Sequence, residues 1–125
     1  LNDTAFLAHL RELLGPVGRF GTRAMFGGHG IYLDDLIVGI VADGALFLKV
    51  DEVTCARFEA AGCAPFVYSG KGRTITMSYW SVPEDALDTP DAMAPWARLA
   101  VAAALRAAAR KPASPKRAAP RKPTR

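Results

Sequence analysis

Apolar side chains recur at two different periods along this chain, and the change of period marks out its elements. In DTAFLAHLRELLGP, Phe6, Leu7, Leu10, Leu13 and Leu14 fall at helical spacing. Asp3 or Thr4 caps that helix, and Gly15-Pro16 stops it. Sheet-like patterning begins at about Arg19. IYLDDLIVGIVADGALFLKV then holds three apolar runs, separated by Asp34-Asp35 and by Asp43-Gly44. An Asp-Gly step between β-rich runs predicts a hairpin, because glycine accepts the positive φ of the tight turn. In the last run Leu46, Leu48 and Val50 share one face, and Phe47 and Lys49 take the other.

Asp51 then reads as the N-cap of a short helix running to about Ala61 and closed by Gly62, with Pro65 preventing continuation. PFVYSGKGRTITMSYWSV predicts a second hairpin, with Ile75, Met77 and Tyr79 on one face of its later strand. TPDAMAPWARLAVAAALRAAA supplies the closing helix, capped by Thr89 with Pro90 at a permitted first position. Pro95 implies a kink or a fresh start. Trp80 and Trp96 stand beside apolar positions and are expected in the core. The strands follow one another too closely for parallel crossovers. The fold class is therefore α+β: one antiparallel sheet with a face covered by helices, the N- and C-terminal ones included.

Composition adds a division of charge. The net charge of +4 conceals an acidic body, residues 1–109, and a basic tail, residues 110–125. The tail RKPASPKRAAPRKPTR carries Arg110, Lys111, Lys116, Arg117, Arg121, Lys122 and Arg125 and no acid. Its prolines oppose helix and sheet, and its like charges repel, so it is expected to be extended and disordered. Such a run binds phosphate backbones by releasing counterions, without reading sequence. Were all seven charges to engage duplex DNA, log K would fall against log salt with a slope of about −6. The competing reading is a solubilising end, or a contact to an acidic protein. No run approaches a membrane span, and no basic-then-apolar leader opens the sequence, so a cytoplasmic place, with nucleoid association through the tail, is expected.

Candidate chemistry is sparse. Gly27, Gly28 and Gly30 lack the lysine of a P-loop, and Leu33 stands where a dinucleotide loop needs its third glycine. A strand follows them, so they read as a bend or bulge needing unusual dihedrals, with ligand binding the alternative. His29 has only Asp34 and Asp35 near it in sequence, and both also suit a hairpin turn. Ser69-Gly70-Lys71-Gly72-Arg73 fits a phosphate grip and a solvated hairpin tip equally. Glu84, Asp85, Asp88 and Asp91 precede a helix, which suggests capping and dipole compensation. Cys55 and Cys63 read as buried thiols, and with only His9 and His29 to join them no metal site is expected. The residues thus assign no catalytic, cofactor or metal role and no small-molecule substrate.

Three stretches, RAMFGGHGIYLDD, DGALFLKVD and FEAAGCAPFVYSGKGRTITMSYWSVPEDALDTPDAMAPWARLA, together resemble the N-terminal domain of the TfoX/Sxy family in order and spacing, over about residues 5–108. The specific parts are Arg23, Met25-Phe26-Gly27-Gly28, the Lys49 strand, Lys71-Gly72-Arg73, Tyr79 and Pro83-Glu84-Asp85. The resemblance implies a two-layer α/β sandwich. It also implies a regulator of natural competence acting with the transcription machinery, not an enzyme, and without a cofactor. In full-length members a second, helical domain follows; this sequence carries the basic tail in that place. The expected function is a regulatory module whose tail adds unspecific nucleic-acid affinity, with Arg23, Lys49, Lys71 and Arg73 as an interaction surface toward nucleic acid or a transcription-related protein. The alternative is a protein-interaction adapter without DNA binding.

Overall fold

The computed structural model describes residues 3–25, 28–70 and 72–110. Helix α1 (Asp3–Leu14) leads into four successive strands, β1 (Phe20–Met25), β2 (Gly28–Leu33), β3 (Leu36–Ala42) and β4 (Ala45–Lys49). A short helix α2 (Cys55–Ala60), the hairpin strands β5 (Pro65–Gly70) and β6 (Arg73–Ser81), a 3-10 turn (Glu84–Leu87) and the long helix α3 (Pro90–Arg110) complete the order. All six strands form one antiparallel sheet in the order β1-β2-β3-β4-β6-β5. The α+β class and the covering terminal helices agree with the sequence pattern.

Two of the hairpins follow from their turn residues. Asp43 and Gly44 both adopt positive φ, 51° and 73°, the pair of conformations a type I′ turn requires. Asp34 takes φ 57° at the β2–β3 turn, a conformation that Asp tolerates better than most residues. The last strand, β6, inserts between β4 and β5, so the chain leaves the sheet through α2 and returns on its far side.

The core lies between the sheet and the helices. Leu10, Leu13 and Leu14 from α1, Ile31, Val41 and Leu48 from the sheet, Phe58 from α2 and Met93 from α3 are all almost completely buried. Helix α3 presents Met93, Ala97, Ala100 and Ala104 inward. A stripe this small lets the helix axis approach the sheet closely. Trp96 meets Phe58 edge-on with ring centroids 4.9 Å apart, and Trp80 and Trp96 both pack, partly buried, against the core. The thiols of Cys55 and Cys63 are free but half-buried, less enclosed than the sequence suggested.

Local detail differs at α2 and is decided at Pro95. Helix α2 begins at Cys55, not directly after Asp51, because a turn intervenes. Asp51 Oδ1 accepts from the amides of Val53 and Thr54 at 3.0 and 3.1 Å, and the Asp51 amide donates to Thr54 Oγ1 at 3.1 Å. Asp51 is a cap, but of the turn leading into the helix. Helix α3 runs through Pro95 as one element with no fresh start. At the sixth helical position a proline forgoes only one intrahelical bond, near an end where packing holds the segment. Thr89 caps α3 as expected, its Oγ1 accepting from the Ala92 amide at 3.1 Å. Between β6 and α3, Glu84 and Asp85 open the 3-10 turn and Asp91 lies in the first turn of α3, positions that favour negative charge.

Candidate interaction surface on the uncovered sheet face

Strand register decides what each face of the sheet displays. The rows Ala24–His29–Val41–Leu46 and Thr22–Ile31–Gly39–Leu48–Trp80 point toward the helices, as the burial of Ile31, Val41, Leu46 and Leu48 in the core shows. The intervening row, Arg23–Gly30–Ile40–Phe47–Ser81, therefore points away from them. Two further cross-strand pairs lie on that side, Tyr32 with Ile37 and Lys49 with Tyr79. The register shift between Ile31 and Tyr32 leaves Val38 as an extra residue on β3, so that Ile37 opposes Tyr32 on the outer face while Val38 is buried in the core.

On this face aromatic rings and cations are paired. The Arg23 guanidinium carbon lies 4.4 Å from the centroid of Tyr32, and Lys49 Nζ lies 5.1 Å from that of Tyr79. Both distances fall within cation–π range. Lys49 Nζ also donates to Ser78 Oγ at 3.0 Å. Phe47 and Phe66 meet at 4.8 Å between centroids, tilted by 53°. Burial pushes the Tyr79 phenol above its usual range, and the neighbouring Tyr32 phenol pushes it further. Arg23 also faces Asp35 at 3.7 Å, but both side chains are exposed, and such a pair contributes little.

Of the sequence-assigned surface residues, Arg23 and Lys49 thus share the outer face. Arg73 opposes Gly70 at the tip of the β5–β6 hairpin, and Lys71 lies outside the described residues. Arg110 is the last residue of α3, where its Nη1 donates to Glu52 Oε2 at 3.0 Å. Lys111, Lys116, Arg117, Arg121, Lys122 and Arg125 lie outside the described residues. The aromatic partners Tyr32, Phe47, Phe66 and Tyr79 were not assigned from sequence. The alternation that set Phe47 and Lys49 apart from Leu46 and Leu48 was the available signal.

The glycine cluster has a geometric explanation, though a different one from unusual dihedrals. Gly28 is extended, and a Cβ there would run into the carbonyl oxygen of Val41 on the neighbouring strand. Close backbone approach, not positive φ, excludes a side chain. Gly27 lies outside the described residues. His29 stands on the helix-covered face near one end of β2, whereas Asp34 and Asp35 form the turn at the other end. Five residues of strand separate them by about 16 Å, too far for a carboxylate to orient the imidazole. His9, by contrast, has a structural bond, its Nε2 donating to the Leu87 carbonyl at 2.8 Å and fastening α1 to the 3-10 turn.

The strongest ion pair belongs to the helix side. Arg106 Nε and Nη2 reach Asp51 Oδ2 and Oδ1 at 2.6 and 3.1 Å, clamping the end of α3 to the β4–α2 turn. The Asp51 side chain is only 5% exposed. The Arg106 guanidinium lowers its carboxyl pKa to about 2, outweighing the opposing effect of burial. Among the described residues no group of three His, Cys, Asp or Glu side chains stands close enough to hold a metal ion, and no helix is long and apolar enough to cross a membrane.

The TfoX N-terminal domain family matches residues 12–104. The chain is 35% identical over 82 residues to the DNA transformation protein TfoX1 of Aliivibrio fischeri, a match covering 62% of this chain and 39% of that protein. It is 28% identical over 74 residues to protein Sxy of Escherichia coli, covering 59% of this chain and 35% of that one. The chain thus spans well under half the length of either relative.

Proposed function

The chain belongs to the TfoX N-terminal domain family, and we propose that it works as a non-enzymatic, competence-related regulatory module in the cytoplasm. In this reading the sheet domain docks on the transcription machinery, and the basic segment 110–125 adds unspecific affinity for nucleic acid. The observation that carries the reading is the family match across nearly the whole body, joined to a relative named as a DNA transformation protein. The concentration of cations after residue 109, against an acidic body, supports the electrostatic part. The separation of His29 from Asp34 and Asp35 favours a role without catalysis.

The test is fluorescence anisotropy on labelled duplex DNA across a salt series. The full chain is compared with a variant in which Lys111, Lys116, Arg117, Arg121, Lys122 and Arg125 are all replaced by Gln. Arg110 is kept because it pairs with Glu52. Binding by the full chain with a slope of about −5 for six engaged cations, nearly abolished in the variant, supports the tail as an anchor. Equal binding by both proteins removes the affinity from the tail and assigns it to the body, and no binding by either at moderate salt leaves the adapter reading.

A further inference from the structure

Acidic residues are absent from every strand. All twelve carboxylates of the chain lie in helices and turns, while the six strands carry Arg23, Lys49 and Arg73. The strands also hold all three tyrosines. The outer sheet face is therefore a cationic, aromatic layer on a body that is otherwise acidic. A partner matched to it offers negative charge together with flat apolar faces. Duplex DNA offers the first and hides the second, because its bases are stacked and paired. Unpaired nucleotides offer both.

We infer that the uncovered sheet face is a binding platform for single-stranded nucleic acid. Bases stack on the half-exposed rings of Phe47 and Phe66 and on the guanidinium plane of Arg23, which is 62% exposed above Tyr32. Arg23 and Lys49 face the phosphates from either side of Phe47, and Tyr79 holds the Lys49 ammonium beside its ring. Aromatic side chains on an open antiparallel sheet, with cations between them, stack two or three bases without strong sequence preference. Gly30 and Ile40 stand between Arg23 and Phe47 in the same row, and Gly30 adds no side chain beside Arg23. The site is distinct from the basic tail, so it stands or falls separately from the tail's role.

The experiment uses the full chain carrying the six tail Gln substitutions, so that the tail does not mask the sheet. Anisotropy of fluorescein-labelled oligothymidylate and oligouridylate is measured beside a duplex of equal length. The tail-neutralised protein is expected to bind the single strands and to prefer them to the duplex. Phe47→Ala combined with Phe66→Ala is expected to weaken that binding roughly tenfold or more. Phe47→Trp, which keeps a stacking ring, is expected to retain it. Arg23→Gln and Lys49→Gln are each expected to reduce the salt slope by about 0.7. Circular dichroism and thermal melting confirm that each variant is folded. Single-strand affinity unchanged in the folded Phe47/Phe66 variant overturns the proposal. So does a dimer in sedimentation that this variant dissociates while leaving single-strand affinity intact, since the face would then be the contact between two copies. Loss of duplex binding on neutralising the tail bears on the tail alone.

Discussion

The two faces of the sheet are built from the same strands and do opposite work. On the helix side Ile31, Val41, Leu46 and Leu48 interlock with α1 and α3, and their identity is fixed by volume. On the outer side Arg23, Tyr32, Phe47, Lys49 and Tyr79 are arranged by pairing across strands, and their identity is fixed by ring and charge. Alternation along β4 shows the contrast residue by residue: Leu46, Phe47, Leu48, Lys49. A strand with one apolar face needs only that face to fold. The outer row is therefore free to carry binding chemistry at small cost in stability.

That contrast is sharpest in adjacent substitutions. Leu48→Ala leaves a cavity beneath α3 and is expected to cost about 2–5 kcal/mol. Phe47→Ala, one residue earlier, is expected to cost about 1 kcal/mol, because solvent fills the space. Urea unfolding reads both as midpoint shifts at constant m. Equal losses would mean that the outer face is as tightly packed as the inner one.

A second comparison sets the inner strands against the edge. Gly28→Ala drives a methyl group into the Val41 carbonyl and is expected to cost about 2 kcal/mol. Gly21→Ala, where nothing lies within 4 Å of the new atom on β1, is expected to be neutral within about 0.5 kcal/mol. Thermal melting of the two single variants separates them.

Acid titration tests the helix side alone. Asp51 has its pKa lowered from 3.8 to about 2 in the folded protein, so it contributes stability above pH 4 that is lost as pH falls toward 2. The difference corresponds to about 2 kcal/mol. Unfolding measured down that range is expected to steepen for the native chain and to flatten in Asp51→Asn. The alkaline limb is weaker and belongs to the outer face. The raised pKa of Tyr79 keeps the folded state protonated when the unfolded chain ionises, so stability declines as pH rises above about 10. Ultraviolet absorbance titration of the native chain against Tyr79→Phe is expected to show the late-ionising phenol disappear in the variant.

How far the sequence carried this picture depended on distance along the chain. Helix α1, the Asp43-Gly44 hairpin and the Thr89 cap were legible because each is decided within a few residues. The insertion of β6 between β4 and β5 was not, since pairing Lys49 with Tyr79 spans thirty residues and leaves no local mark. The need for glycine at position 28 was visible, but its cause, the Val41 carbonyl, lies on another strand. Arg23 and Lys49 were picked out as cations, yet only register could place them on one face with Tyr32 and Tyr79. The Asp51–Arg106 clamp escaped because its partners stand 55 positions apart.

The placement of charge has a kinetic meaning as well. Outside the strands, residues 3–110 carry twelve carboxylates against six arginines and Lys71, and within the strands the balance is reversed. Within residues 3–110 the strands are therefore the cationic part and the helices and turns the acidic part. In the field of a polyanion this separation exerts a torque on the body that favours approach by the sheet over approach by the helices. That torque reaches only about as far as the Debye length, roughly 8 Å at physiological ionic strength. Added salt would thus slow productive encounters even where it leaves the final contacts unchanged.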